Sequence, residues 1–221
     1  MYENLLCLPY FQGMGKDDIT AILDKVKFEF TDYGSQETLR NKGDECDRFV
    51  IVTKGEIIST ATDAEGTYSI SEEHKAPYAI EPYSMFGYDT KYKKKYTAKD
   101  SCTTLSADKN YFFSEFSKHN IFTINLINLV SRKAQVTESA IWELTPTSIE
   151  GRIIAFIAQR CETTHGYKRL NIKMECLAEI LCETRLNVSR ALNNLQSKGV
   201  VTLNRKEIEI PEFRKLLPYI K

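Results

Sequence analysis

The chain has 221 residues, 42% hydrophobic and 27% charged, which suffices for one or two ordinary cores; two domains are expected. Residues 1–9 lack the basic and apolar regions of a signal peptide, and no stretch approaches the roughly 18 unbroken apolar residues of a spanning helix, so a cytoplasmic protein with no membrane partner is expected. The 30 basic and 30 acidic residues balance only overall: residues 146–221 carry 13 Lys+Arg against 8 Asp+Glu (+5), and residues 1–145 carry 17 against 22 (−5), a basic C-terminal module on an acidic body.

Along the chain, Ile19, Ile22, Leu23, Val26 and Phe30 recur at steps of three and four, which predicts an amphipathic helix over residues 17–30. Short β-rich runs follow. Phe49 to Val52 and Ile57-Ile58 flank the turn residues Lys54-Gly55, while residues 63–66 separate Ile58 to Thr60 from Thr67 to Ile70, as in successive hairpins. This predicts a small all-β roll or barrel over residues 31–108.

From Lys109 to Pro146 glycine and proline are absent. Thr123, Ile127, Val130, Ala134, Thr137, Ile141 and Leu144 step by four and three, predicting a long helix with a coiled-coil seam. Such a stripe is most simply buried against a second copy of itself, so a homodimer through Ile127, Val130, Ala134 and Ile141 is expected; an intramolecular core helix is the alternative. Thr145-Pro146 is read as cap and first turn of a new helix, and as the hinge between domains. The expected divisions are residues 1–108, a sensory roll; 109–145, a dimerisation helix; and 146–221, a C-terminal domain.

In that last part, Leu177, Ile180 and Leu181 mark one short helix, and Val188, Ala191, Leu192 and Leu195 mark a second, with Cys182-Glu183-Thr184 between them. Helix, short turn, helix is the helix-turn-helix arrangement, and Thr184 can cap the second helix. The apolar positions leave Arg185, Asn187, Ser189, Arg190 and Asn194 outward or sideways, side chains suited to base edges and phosphates. Two β-rich segments then flank Asn204-Arg205-Lys206, a hairpin wing whose Arg205 and Lys206 suit a phosphate backbone.

Taken together, these motifs resemble the CRP/FNR superfamily of transcription regulators over nearly the whole chain. The front carries Gly43-Asp44, Phe49 to Val52 and Lys54-Gly55-Glu56, with the twelve-residue spacing between glycines seen in that family's β-roll; the back carries Leu177 to Leu181, Thr184-Arg185 and Val188 to Leu192. The resemblance implies an α+β fold: an N-terminal double-stranded β-roll of cupin or jelly-roll type, a long dimerisation helix and a C-terminal winged helix-turn-helix. It implies a homodimer that reads a near-palindromic site in double-stranded DNA through Thr184, Arg185, Asn187, Ser189, Arg190, Arg205 and Lys206, with RNA polymerase and a small-molecule or gas effector as further partners.

Two departures bear on specificity: Leu186 stands where many relatives carry a cytosine-reading glutamate, and Cys182 where they often carry glycine. The effector pocket would be marked by Phe86, Gly87 and Tyr88, but Tyr88 replaces the ribose-holding glutamate of cyclic-AMP binders and no arginine lies between Arg48 and Arg132, which argues against cyclic AMP. Cys7 alone at the N-terminus argues against an iron–sulfur cluster. Haem is left open, with His74 and His119 as axial candidates and a nitric-oxide or redox-responsive regulator as the corresponding variant.

Cys7, Cys46, Cys102, Cys161, Cys176 and Cys182 form no CxxC pair and no zinc set, and read as reduced thiols. Other classes fare worse. A cupin-like enzyme needs converging ligands, and His74, His119 and His165 are far apart in the sequence; no GxSxG or phosphate loop occurs, so no enzyme is expected. A winged helix used for protein contacts remains as a binding-module alternative.

Overall fold

The computed structural model describes residues 5–142 and 146–220, the side chains of Ala140 and Ile141 excepted. The expected seam residues Ile141 and Leu144, and the expected cap Thr145, therefore lie outside what is described, Ile141 by its side chain. The chain divides into two compact units, residues 5–58 with 74–141, and residues 59–73 with 142 and 146–220.

The first unit opens on helix α1 (Lys16–Lys25), which buries Ile19 and Ile22. It stops five residues before the predicted end: the Val26 N–H still bonds to the Ile22 carbonyl, but Val26 is already extended (ψ 122°). Phe30, counted on the helical stripe, instead lies on β1 (Glu29–Tyr33), 61% exposed. Its four-residue step from Val26 is a coincidence of spacing between a helix end and the strand after it.

The roll continues through β2 (Thr38–Arg40), β3 (Arg48–Lys54), β4 (Glu56–Thr62), β5 (Tyr68–Lys75), β6 (Tyr78–Ile80), β7 (Lys95–Ala98) and β8 (Cys102–Asp108). One antiparallel sheet has the order β1-β8-β3-β6, with Ile51 opposite both Leu105 and Ala79; across from it β2 pairs with β7, and β7 neighbours β4. Lys54-Gly55 is thus a corner rather than a hairpin, because β3 and β4 belong to different sheets. Gly55 has φ 84°, and a Cβ there would sit 2.3 Å from the Ser101 carbonyl oxygen, so both the turn and the close approach require glycine.

Asp108 leads into α2 (Asn110–Ser114) and then α3 (Asn120–Trp142). The first turns of α3 close the roll core: Phe122 is buried and stacks on Phe116 (centroids 4.9 Å apart), beside Phe11, Phe49 and Phe112. Asn125 Nδ2 ties the helix to the carbonyls of Tyr10 and Gln12 at 3.2 and 2.8 Å.

The second unit contains α4 (Ile149–Ala158), β9 (Lys168–Ile172), α5 (Met174–Ile180), α6 (Arg185–Ser197), β10 (Thr202–Asn204) and β11 (Glu207–Ile210). Helix α4 begins three residues after Pro146, and its cap is Ser148, whose Oγ accepts the Gly151 N–H at 3.0 Å. Its buried face, Ile153, Ile154, Phe156 and Ile157, meets Leu177, Val188, Leu192 and Leu195 in one core. Strand order is β10-β11-β9-β5, with β4 beyond β5.

The hairpin of residues 59–73, which chain order assigns to the front roll, therefore belongs to this unit, with β5 and β9 antiparallel from Tyr68↔Ile172 to Glu72↔Lys168. The Glu72–Lys168 pair fixes the register. Lys168 Nζ lies 2.7 Å from Glu72 Oε2 with both side chains 2% exposed; Glu72 also accepts the backbone N–H groups of Glu162 and Thr163, and Lys168 donates to Thr163 Oγ1 at 2.9 Å. Two charges this deeply buried are tolerable only when paired and hydrogen-bonded, and a one-residue slip would separate them.

Candidate nucleic-acid interface

Helix α6 carries the site, and its amphipathicity holds as the sequence indicates. Val188, Ala191, Leu192 and Leu195 are buried at 0, 5, 0 and 1% exposure, which turns the opposite face outward. Thr184 is extended and its Oγ1 accepts the Asn187 N–H at 3.2 Å, so the first turn is capped as expected. Arg190 and Leu186 are exposed, and Ser189 is half-buried. Arg185 is exposed too, with Nη1 3.2 Å from Glu175 Oε1, an ion pair at the surface that a competing phosphate or base could exchange.

Asn187 is not a free reader, because its amide donates to Glu183 Oε2 at 3.2 Å. Asn194 likewise donates to Glu150 Oε1 at 2.9 Å. Ile180, placed on the buried face of the first helix by its spacing, is 38% exposed, while Leu177, Ala178 and Leu181 make the contact.

A brace missed in the sequence holds the turn between the two helices. Arg152 of α4 pairs with Glu183 and donates from Nη1 to the Leu181 carbonyl at 3.0 Å, while Glu183 also receives Asn187. The Arg152 and Asn187 hydrogen bonds hold the Glu183 carboxyl below the usual carboxylate range. No local pattern announces this brace, since Arg152 and Glu183 are 31 residues apart. Within the turn Cys182 has φ 51°, the left-handed conformation that favours glycine.

The wing is β10 and β11, paired Thr202↔Glu209 to Asn204↔Glu207, with Arg205-Lys206 at its turn. The Ile172 N–H bonds to the Lys206 carbonyl at 2.9 Å, which fixes the turn to the end of β9. A cavity of about 240 Å³ between α5, α6 and the wing is lined by Lys173, Glu175, Arg185, Asn204 and Lys206 among others. Arg185 and the wing thus face one recess, whereas Ser189 and Arg190 do not line it.

The expected effector residues Phe86, Gly87 and Tyr88 follow one another at the end of the turn after β6. Phe86 is half-buried against Phe112 and Phe113, Gly87 has φ 95° with nothing within 4 Å of a Cβ position, and Tyr88 is wholly exposed. Glu81 is instead the polar centre of that region. It is 1% exposed in a left-handed conformation (φ 38°), and its carboxylate accepts the Lys93 and Lys94 N–H groups (2.8 and 3.0 Å), Ser84 Oγ (2.9 Å) and the Tyr96 hydroxyl (3.0 Å). Four converging donors make an anion cradle, here filled by the chain's own carboxylate. Both candidate haem ligands are engaged: His119 Nδ1 lies 3.2 Å from Asp18, and buried His74 stacks on Tyr78 at 4.2 Å. Among the described residues, no cluster of His, Cys, Asp and Glu could hold a metal ion, and no helix is long and apolar enough to cross a membrane.

The comparisons with known proteins fall on the same elements. Residues 151–219 match the Crp-like helix-turn-helix domain. In fold, the chain is similar to the catabolite activator protein of Thermus thermophilus, with TM-score 0.56 and 18% identity over 96% of this chain and 98% of that one. It is also similar to a protein described as a transcriptional regulator of the CRP/FNR family from Eubacterium rectale (0.52, 15%, 96% and 98%). A third match is the c-di-GMP-responsive global regulator CLP of Xanthomonas campestris (0.52, 14%, 89% and 99%). No curated protein sequence matches the chain. Residues 151–219 thus form a Crp-like helix-turn-helix domain, and the chain as a whole shares the fold of those regulators.

Proposed function

We propose that the protein is a sequence-specific DNA-binding transcription regulator that acts as a homodimer on near-palindromic sites. The observation that carries this reading is helix α6: capped at Thr184 and buried on one face, it presents Arg185 and Arg190 to solvent beside a wing tipped with Arg205 and Lys206. Arg190 and Ser189 read base edges, Arg185 exchanges Glu175 for the duplex, and the wing holds phosphates. Exposed Leu186 offers apolar contact, as to a thymine methyl, where a glutamate would read cytosine.

The dimer is supported by α3. Ile124, Ile127 and Val130 are 56, 56 and 44% exposed in the chain, and residues 130–139 are exposed on every side, an unstable state for a helix with an apolar stripe. A two-fold pair of α6 helices would then enter successive major grooves about 34 Å apart. Promoter DNA and RNA polymerase are the partners in this reading, in the cytoplasm where the duplex is. In this reading cyclic AMP is not the effector, since Tyr88 stands in place of the ribose-holding glutamate and no arginine lies between Arg48 and Arg132.

Selection of sites from random duplexes tests the proposal and should return a two-fold consensus. Arg190→Ala should weaken binding by about 1–3 kcal/mol and relax one base position, while Lys206→Ala should weaken all sequences alike and flatten the salt dependence by about one. No two-fold consensus, together with unchanged binding by Arg190→Ala, would overturn it.

A further inference from the structure

A second cavity of the same unit, about 380 Å³, lies between the hairpin of residues 59–73 and the wing. Its cationic lining is Lys173, Arg205 and Lys206; Thr62 and Ser69 add hydroxyls, the Thr67 hydroxyl donates to Asp63 Oδ2 at 2.7 Å, and among the described residues no carboxylate lines the cavity itself. None of the three cations is ion-paired among the described residues. Three uncompensated positive charges around one recess repel one another, and an anion bridging them relieves the repulsion.

The strand pairing explains why the hairpin tip stands there. Ile172, the last residue of β9, is held on one side by the Lys206 carbonyl of the wing turn and on the other by pairing with Tyr68 of the hairpin. Lys173 and Lys206 also line the recess that contains Arg185, together with Glu175 and Glu207, so the two recesses share these two cations and the carboxylates lie only on the α6 side.

We propose that this trough seats the phosphodiester backbone of the bound duplex beyond the wing, so that the hairpin of residues 59–73, inserted in the sequence of the front roll, forms part of the DNA-binding surface. The proposal rests on the DNA-binding reading above and extends its footprint to Thr62, Thr67 and Ser69.

The test reads the salt dependence of binding to a random-sequence duplex, which needs no effector. Thr62 is exposed on the trough wall and can carry a charge. Thr62→Lys should steepen the slope of log K against log salt by about 0.9, roughly a threefold greater loss of affinity between ~50 and ~200 mM salt, and Thr62→Glu should weaken binding and flatten it. If both variants, folded by circular dichroism, keep the wild-type slope while Lys206→Ala flattens it, the hairpin lies off the duplex and the proposal fails. Calorimetric binding of inorganic tripolyphosphate that Thr62→Glu abolishes, with the DNA slope unchanged, would assign the trough to a free anion and overturn it equally. Absence of salt-dependent binding by the wild-type protein would instead refute the DNA-binding reading itself.

Discussion

Replacing Glu72 by Ala removes one partner of an ion pair whose side chains are both 2% exposed. Among the described residues Lys168 then keeps one acceptor, Thr163 Oγ1 at 2.9 Å, and the Glu162 and Thr163 N–H groups lose their carboxylate. An uncompensated buried charge costs about 3–5 kcal/mol, and a buried unmet N–H about 1–3 kcal/mol unless water enters, so a loss of at least ~3 kcal/mol is expected. Glu72→Gln retains an acceptor for the N–H groups and isolates the share due to the stranded ammonium. Lys168→Met should cost less than Glu72→Ala, because the carboxylate keeps its backbone donors. Combined with Lys168→Met, Glu72→Ala should cost less than the sum of the two, with a coupling of about 2 kcal/mol. Guanidinium unfolding followed by circular dichroism measures all four variants. If Glu72→Ala costs under about 1 kcal/mol, or the double variant is additive, the pair does not hold the hairpin and the reasoning is wrong.

Three further outcomes are expected. Val130→Asp should place a charge in the exposed stripe of α3 and lower the mass seen by light scattering at micromolar concentration from dimer to monomer; a monomeric wild type would refute the dimer. Cys182→Gly should relieve the left-handed backbone at φ 51° and raise stability by about 1 kcal/mol, roughly 2–4 °C in Tm, whereas a lower Tm would show that the thiol has a role in the turn. With a thiol-reactive disulfide reagent, exposed Cys7 and Cys182 should react fast. Cys46, 1% exposed and pushed up to about 11 by burial, should wait for unfolding, and fast labelling of Cys46 would contradict its placement.

The parts of this molecule that were legible in the sequence are those in which one short segment carries its own pattern. Helix α6 shows its buried stripe and its cap within thirteen residues and the one before them, and the wing shows two strands around a basic turn. What was not legible depends on partners far along the chain. Lys54-Gly55 reads as a hairpin turn because local sequence cannot say that the strands on either side enter different sheets. Glu183 reads as a turn residue until Arg152 reaches it, and Glu81 carries no mark of its burial, because its donors come from residues 84–96. Phe122 and the partly buried Leu126 turn toward the roll, and the exposed ridge of α3 includes Ile124, which the heptad count passed over.

The pairing of β5 with β9 also governs how this chain can be dissected. A C-terminal fragment cut at residue 146 would keep α4, α5, α6 and the wing yet lose the strand that covers one edge of β9. Its backbone groups from Lys168 to Ile172 would be left open, and Lys168 would lose its counter-ion; an uncovered edge of this kind recruits other chains. An excised winged domain should therefore be poorly soluble at the concentrations at which the intact protein is well behaved. A fragment in which residues 59–73 are grafted ahead of residue 146 through a flexible linker should recover, and the same graft carrying Glu72→Ala should not.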